Sequence, residues 1–181
     1  MSPWPTHATR IAYENRWITV HEDQVRRPDG TDGVYGVVSL RHPAVFVVAL
    51  TAADDVVLID VDRHTVGRSL EVPAGSTDGQ EPLVAAAREL AEEAGLVAQE
   101  WTQLGELSAL NGVCRAPASV YLATGLSPAP AQDVRAEEEG ILAVRAEPWS
   151  RVLDLVASGE IRDSETLAAL LHAAVHVGRV Q

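Results

Sequence analysis

Residues 71–96 read EVPAGSTDGQEPLVAAARELAEEAGL, a glycine-containing loop followed by an acidic, alanine-rich segment. Within it, the apolar side chains of residues 82–94 recur with the 3.6-residue period of an α-helix. Pro82 suits the first turn of a helix, and Gly95 suits the left-handed residue that ends one. The sequence therefore predicts a helix over residues 82–94.

Three glutamates of this predicted helix share one face. Glu92 lies three residues after Glu89 and Glu93 lies four residues after it, so the helix places them side by side. Like charges in this arrangement repel, and Arg88 can neutralise one of them. Hard divalent cations such as Mg²⁺ prefer carboxylate oxygens, which predicts a metal site here. The alternative is a solvated acidic helix face without a ligand.

Composition limits the class of protein. At 181 residues with 46% hydrophobic residues, the chain can bury a core as one globular unit. A formal net charge of -12 with 14 Lys and Arg argues against nucleic-acid binding, which needs a basic face. The one cysteine, Cys114, cannot form an internal disulfide and suits a small buried position.

The sequence predicts no targeting or membrane-spanning segment. The first ten residues lack the charged-then-apolar order of a secretory signal. The longest clean apolar run, residues 44–50, is far too short to cross a bilayer. We therefore expect a cytoplasmic protein without a membrane partner.

Strands and helices are mixed along the chain without a regular alternation, which indicates an α/β (α+β) fold. Residues 16–27 alternate like a strand, and residues 34–40 return as its hairpin partner. Two β-branched runs, residues 44–50 and 56–61, predict a second hairpin across the loop TAADD. Further strands are predicted at residues 101–107, 118–126 and 141–148, and further helices at residues 150–160 and 163–177.

The order of residues in the opening stretch resembles the Nudix box, Gly-x5-Glu-x7-Arg-Glu-U-x-Glu-Glu-x-Gly-U, with U apolar. Residues 88–96, RELAEEAGL, match its last nine positions. Counting back from Arg88 puts Gln80 at the position of the box glutamate, with Glu81 beside it. Gly75 keeps the role of the box glycine if the loop is one residue shorter. We expect glutamine at position 80 to tune metal binding rather than abolish it.

The segments that flank the box look like the ADP-ribose pyrophosphatase branch of the Nudix hydrolases. They are WITV and RRPDG near the N-terminus, DRHTVGRSLEVPAG at residues 62–75 and SGEIRDSETLAALL at residues 158–171. The resemblance implies a Nudix α/β/α sandwich with a mixed sheet at residues 43–181. It implies a β-extension at residues 1–42 that contacts substrate and a second copy in a homodimer. The implied reaction is hydrolysis of ADP-ribose or a related nucleoside-diphosphate sugar to a nucleoside monophosphate and a sugar phosphate.

The resemblance also implies a site for Mg²⁺ or Mn²⁺. Glu89 and Glu93 would be the principal ligands, and the carbonyl of Ala74 would complete the site. Glu92 would support or share a metal ion, and Arg88 would orient the glutamates. Such ions neutralise a pyrophosphate and lower the pKa of a bound water.

A base or additional metal ligand is implied in the acidic loop AEEEGI. Glu139 is the first choice and Glu137 the second. A carboxylate near a cation is stabilised in its ionised form, as a base requires. The alternative is a solvated acidic loop.

Three further residues are implied in substrate binding. Trp17 and Tyr35 match aromatic positions that stack on the adenine, a contact worth roughly 1–3 kcal/mol per base. Ordinary packing or an interface role fits these two residues equally well. Arg63 matches an arginine that contacts phosphate or ribose, and a surface salt bridge with Asp60 or Asp62 is the alternative.

The competing function is a catalytically weak Nudix-like sensor that binds a nucleotide sugar without cleaving it. Three departures from the family pattern favour it: Gln80, the shortened box loop, and Asn111 with Gly112 where many relatives have a Pro-Gly substrate loop. Metal-dependent turnover would decide for the enzyme.

Overall fold

The computed structural model describes residues 4–180. The strands in its first half are β1 (Thr6–Glu14), β2 (Ile18–Arg26), β3 (Asp32–Leu40), β4 (Ala44–Ala49), β5 (Val56–Arg63), β6 (Gly67–Glu71) and β7 (Ala74–Ser76). Those in its second half are β8 (Leu96–Val97), β9 (Glu100–Ser108), β10 (Cys114–Arg115), β11 (Pro117–Thr124), β12 (Ser127–Pro128) and β13 (Ile141–Glu147). The α-helices are α1 (Pro82–Ala94), α2 (Trp149–Ala157) and α3 (Ser164–His176).

The N-terminal strands form a sheet in the order β1-β2-β3-β10. β2 and β3 pair antiparallel from Ile18 opposite Leu40 to Arg26 opposite Asp32, which confirms the first predicted hairpin. The sequence analysis missed β1, because all nine of its side chains are exposed and no core-facing pattern marks them. β10 joins β3 in parallel, so the segment after β9 is attached to this sheet.

The second predicted hairpin is wrong. β4 lies between β7 and β11, and β5 lies between β13 and β6, so the two strands belong to different sheets. They meet at an isolated bridge between Leu50 and Val56. The first six residues of β5 are all buried. A strand that is buried on both faces lies in the middle of a sheet and pairs with one strand on each edge. β4 and β5 are each such a central strand, so they do not pair with each other.

Helices cover both faces of the central strands. Alternate side chains of a strand point to opposite faces. In β4, Val47 packs in one apolar cluster with Leu90 of α1. Its neighbour Val48 packs in another cluster with Leu155 of α2 and Leu170 of α3. The layers are therefore helix, sheets and helix, as predicted.

The first helix, α1, has the predicted bounds. Gly95 ends it in the left-handed conformation (φ 65°), and its amide donates to the carbonyl of Ala91 at 3.1 Å. The side chains of Glu89 and Glu93 are buried together with the apolar face of the helix. α1 contacts β4 and β7, so both carboxylates lie at the inner side of the helix.

The two C-terminal helices, α2 and α3, match the two predicted there. The side chain of Asp163 caps α3 by accepting a hydrogen bond from the amide of Thr166 at 2.7 Å. The buried hydroxyl of Thr166 accepts from the amide of Val72 at 3.3 Å, which ties α3 to the chain just before β7. No helix within residues 4–180 is both long enough and apolar enough to span a membrane.

Candidate active site

The acidic face of α1 lies against the backbone of β7. The amide of Ala74 donates to Oε2 of Glu93 at 2.8 Å. A Cβ atom at Gly75 would overlap the carboxylate of Glu89, so a larger residue here would displace that carboxylate from β7. The structure thus brings together four of the residues that the Nudix resemblance implied, Ala74, Gly75, Glu89 and Glu93.

Burial dominates the ionisation of the two inner glutamates. It raises the pKa of Glu89 to about 7 and the pKa of Glu93 to about 8. Arg88 opposes the rise at Glu89, and the amide of Ala74 opposes it at Glu93. The charge of Glu139 raises both pKa values further. A cation placed among these groups would favour their charged forms.

Arg88 joins the box loop to the acidic face. Its Nη1 lies 2.9 Å from Oε1 of Glu89 and 2.8 Å from Oε2 of Glu92, so it contacts two carboxylates rather than the one expected. Its Nη2 donates to the carbonyl of Ser76 at 2.7 Å, and its Nε donates to Oε1 of Gln80 at 3.1 Å. Gln80 therefore supplies Arg88 with a neutral acceptor, at the position where the Nudix box has a glutamate.

The loop before β13 reaches the outer side of the same face. Nε of Arg135 lies 3.2 Å from Oε1 of Glu92, and the amide of Arg135 donates to the Glu92 carbonyl at 2.8 Å. Glu139, at the end of this loop, is exposed to solvent. Its charge lies close enough to Glu89 and Glu93 to contribute to the rise in their pKa values. Arg135 was not among the predicted site residues, although only Ala136 separates Arg135 from the acidic run that contains Glu139.

Arg63 lies in a cleft beside the glutamates. The cleft has a volume of about 370 Å³, and its lining includes Phe46, Arg63, Glu71, Ala74, Gly75 and Asp163. Nη2 of Arg63 lies 2.7 Å from Oε2 of the buried Glu71. The charge of Arg63 also lowers the pKa of Glu93, and Arg63 lines the same cleft as Ala74 and Gly75. The positive charge of Arg63 therefore lies in the cleft next to Ala74 and Gly75, the backbone against which Glu89 and Glu93 pack.

Asp60 and Asp62 were the predicted alternative salt-bridge partners of Arg63, but Arg63 pairs with Glu71. Asp60 is held instead by Arg68, with Nε 2.7 Å from Oδ1, and by Arg145, with Nη2 2.7 Å from Oδ2. Among the described residues, no ion pair joins Arg63 to Asp60 or Asp62.

The two aromatic residues predicted to stack on the base lie far apart in one chain. Tyr35 pairs with Asp23, six residues along β2 from Trp17, which corresponds to roughly 20 Å. Trp17 is 58% exposed, and the guanidinium of Arg16 lies over its ring. The hydroxyl of Tyr35 donates to the carbonyl of Gly112. Neither ring lines the cleft that contains Arg63.

The donor chemistry of the acidic face fits a hard divalent cation. Glu89, Glu92 and Glu93 offer carboxylate oxygens, and β7 offers backbone carbonyls beside them. In the part of the chain that the structure describes, no three His, Cys, Asp or Glu side chains converge as a complete ligand set. Because Arg88 contacts Glu89 and Glu92, binding an ion at these residues would exchange arginine contacts for cation contacts.

Comparison with known families assigns the class of protein. Residues 40–170 match the NUDIX domain, and residues 4–38 match the nucleoside diphosphate sugar hydrolase N-terminal domain. The chain therefore belongs to the NUDIX family of hydrolases. The predicted family and the predicted class of enzyme are confirmed.

Individual relatives agree with this assignment. An ADP-ribose pyrophosphatase of Mycobacterium tuberculosis is 37% identical over 163 residues, which cover 88% of this chain and 76% of that protein. A methanol dehydrogenase activator of Bacillus methanolicus is 29% identical over 168 residues, covering 91% and 89%. The crystal structure of an ADP compounds hydrolase superposes with a TM-score of 0.83 at 23% identity, covering 98% and 97%. This structural likeness confirms the predicted fold.

Proposed function

We propose that this Nudix hydrolase cleaves the pyrophosphate bond of ADP-ribose or a related nucleoside-diphosphate sugar, releasing a nucleoside monophosphate and a sugar phosphate. The observation that carries the proposal is the burial of Glu89 and Glu93 against the backbone of Ala74 and Gly75, at a cleft that presents Arg63. The match to the nucleoside diphosphate sugar hydrolase N-terminal domain supports the class of substrate. The similarity to the ADP-ribose pyrophosphatase of M. tuberculosis supports ADP-ribose as the first substrate to test.

The proposal includes Mg²⁺ or Mn²⁺ as cofactor. Glu89, Glu93 and the carbonyl of Ala74 would hold it, with Glu92 in support. A divalent cation supplies positive charge to the diphosphate and makes water more acidic. The three carboxylates on one helix face and the raised pKa values of Glu89 and Glu93 support this donor set.

Each remaining residue then has a defined task. Arg63 binds a phosphate oxygen of the substrate, a role that suits the planar guanidinium. Glu139 accepts a proton from the attacking water, because an exposed carboxylate near the site stays available as a base. Arg88 holds Glu89 and Glu92 in place through its two short contacts. Trp17 and Tyr35 stack on the base.

We propose that the protein is a homodimer formed through its N-terminal sheet. Four large apolar side chains of this part are more than half exposed, namely Ile11, Tyr13, Trp17 and Val34. A second copy packed on this sheet would cover these side chains. A second copy would also bring base-stacking residues of one chain to the cleft of the other. Sedimentation equilibrium tests the proposal, since a monomer at micromolar concentration contradicts it.

The cytoplasmic location stays a prediction.

The activity is tested with purified protein, Mg²⁺ or Mn²⁺ and a panel of nucleotide sugars that starts with ADP-ribose. We expect release of a nucleoside monophosphate, detected by chromatography. Glu93→Gln should lower the rate by more than about 100-fold, since even outer-shell changes at metal sites cost 10- to 100-fold. Glu106→Gln, an exposed glutamate of β9, is the matched control and should keep the wild-type rate.

Two outcomes overturn the proposal. If no nucleotide sugar yields a monophosphate, the chain is not a pyrophosphohydrolase of this class. Tight, metal-independent binding of a nucleotide sugar without products would identify the sensor instead. Equal rates for Glu93→Gln and Glu106→Gln would remove Glu93 from the site.

A further inference from the structure

Glu92 is held by two arginines from different parts of the chain. Its Oε2 lies 2.8 Å from Nη1 of Arg88, one turn earlier in α1. Its Oε1 lies 3.2 Å from Nε of Arg135, in the loop before β13. Both carboxylate oxygens thus already have a cationic partner, unlike those of its neighbour Glu93, whose contact is a backbone amide.

Arg135 is the first residue of the turn that carries Glu139. Its carbonyl accepts from the amides of Glu138 and Glu139 at 2.9 and 3.1 Å. Its own amide donates to the carbonyl of Glu92 at 2.8 Å. Gly140 then takes a left-handed conformation (φ 74°), and the chain continues into β13. One residue therefore fixes the start of the turn to α1 by main chain and side chain together.

The turn needs such an anchor because of its charge. Glu137, Glu138 and Glu139 are consecutive and exposed, and their turn begins at Arg135, whose amide is bonded to α1. Carboxylates at this spacing repel the helix as well as each other. Arg135 places a positive charge between the two, 3.2 Å from Glu92 and 3.4 Å from Glu138.

We propose that Arg135 is a positioning residue, which holds the Glu139 turn at the acidic face through its contact with Glu92. We call the pair of Arg135 and Glu92 the turn clamp. Its catalytic consequence rests on the proposed function, in which Glu139 is the base. A misplacement of about 1 Å can lower a rate by roughly 100-fold, so a modest shift of the turn has a large effect.

The first test measures the position of the turn without using activity. Amide hydrogen exchange is followed in Arg135→Gln, Arg135→Lys and the wild type. We expect the amides of Glu138 and Glu139 to exchange about two to five times faster in Arg135→Gln, because the charged contacts of Arg135 with Glu92 and Glu138 are lost. Arg135→Lys keeps the charge and should restore part of the protection. Arg151→Gln, an exposed arginine of α2, is the control and should change nothing in the turn.

A double-mutant cycle links the effect to Glu92. Glu92→Gln should mobilise the turn as Arg135→Gln does, and the double variant should show no additional effect. Unchanged exchange in Arg135→Gln, or fully additive effects in the cycle, would overturn the turn clamp. The unfolding midpoint of each variant shows whether the fold is intact.

The second test measures turnover with the substrate found for the wild type. Arg135→Gln should lower kcat by about 10- to 100-fold with little change in KM, because the contact positions a base and does not touch substrate. Faster exchange of the turn with an unchanged kcat would remove its catalytic role. A wild type that cleaves no nucleotide sugar would instead refute the proposed function, while the exchange data would still decide on the clamp.

Discussion

Among the buried acidic side chains of the described residues, Asp60 and the pair Glu89 and Glu93 have opposite surroundings. Asp60 of β5 is 1% exposed, and Glu89 and Glu93 of α1 are 7% and 3% exposed, so burial does not distinguish them. The guanidiniums of Arg68 and Arg145 hold the pKa of Asp60 below its ordinary value. Burial without an equal supply of positive charge raises the pKa values of Glu89 and Glu93.

The difference separates a carboxylate whose charge is paired within the chain from two carboxylates that the proposed function assigns to a divalent cation. The charge of Asp60 is satisfied inside the chain, where it joins β5 to β6 and β13. A raised pKa at a cleft is typical of functional sites, because the surroundings there serve a ligand rather than the fold. The predictions below test whether these two groups differ as described.

Apart from the loss expected for Glu93→Gln, the largest effect on activity is expected from Gly75→Ala. The added Cβ would overlap the Glu89 carboxylate and displace it from β7. We expect a loss of activity of about 100-fold, comparable to other changes that misplace metal ligands. A steady-state assay of the purified variant measures it.

Gly36→Ala is the control for this substitution. Gly36 lies in β3, and a Cβ there would meet no atom within 4 Å. Both changes add the same methyl group, so a general effect of losing a strand glycine appears in both. Equal activities of the two variants would show that the close approach at Gly75 does not matter.

Asp60→Asn should destabilise the fold at neutral pH. It removes charged hydrogen bonds to Arg68 and Arg145, and we expect a loss of about 2 kcal/mol in the free energy of unfolding at pH 7. Because the pKa of folded Asp60 is lowered, its contribution is present above the unfolded pKa of about 4 and is lost as the pH falls through the folded value. Urea unfolding of both proteins from pH 7 to pH 3 should show the difference shrinking. A difference independent of pH contradicts this role of the charge.

Glu93→Gln should act in the opposite direction when no metal is present. The pKa of Glu93 rises from 4.5 to about 8 in the folded protein, so its ionisation opposes folding as the pH climbs between these values. The variant should therefore be more stable than the wild type at pH 8, by on the order of a few kcal/mol, and the difference should fall below about 1 kcal/mol at pH 5. Urea unfolding in the presence of a chelator measures this. A variant less stable at pH 8 would mean that the carboxylate is satisfied by the protein itself.

The sequence pattern predicted correctly those features of the fold that depend on residues close together in the chain. The bounds of α1 follow from its apolar period, Pro82 and Gly95, and the acidic face follows from the spacing of its glutamates. The pairing of β4 and β5 could not be found this way, because their true partners lie far along the chain and the TAADD loop suits a hairpin equally well. β1 has no buried side chain to reveal it.

The site contacts that could not be predicted from the sequence join residues from different elements of the fold. The box pattern indicated Glu89, Glu93 and Gly75, whose positions the structure places together. Arg135 could not be assigned, since its partner Glu92 comes from another element and an arginine beside acidic residues usually forms a local pair. The pairing of Arg63 with Glu71 likewise depends on how β5 and β6 align.

The central claim is that Glu89 and Glu93 are kept for a divalent cation, whereas Asp60 is satisfied by the chain. The most direct measurement is the free energy of unfolding against Mg²⁺ and Mn²⁺ concentration for the wild type, Glu93→Gln and Asp60→Asn. We predict that the wild type and Asp60→Asn gain equally with added metal, by about 2.7 kcal/mol at 100 times the dissociation constant, and that Glu93→Gln gains little. No gain in the wild type, or an equal gain in Glu93→Gln, would contradict the claim.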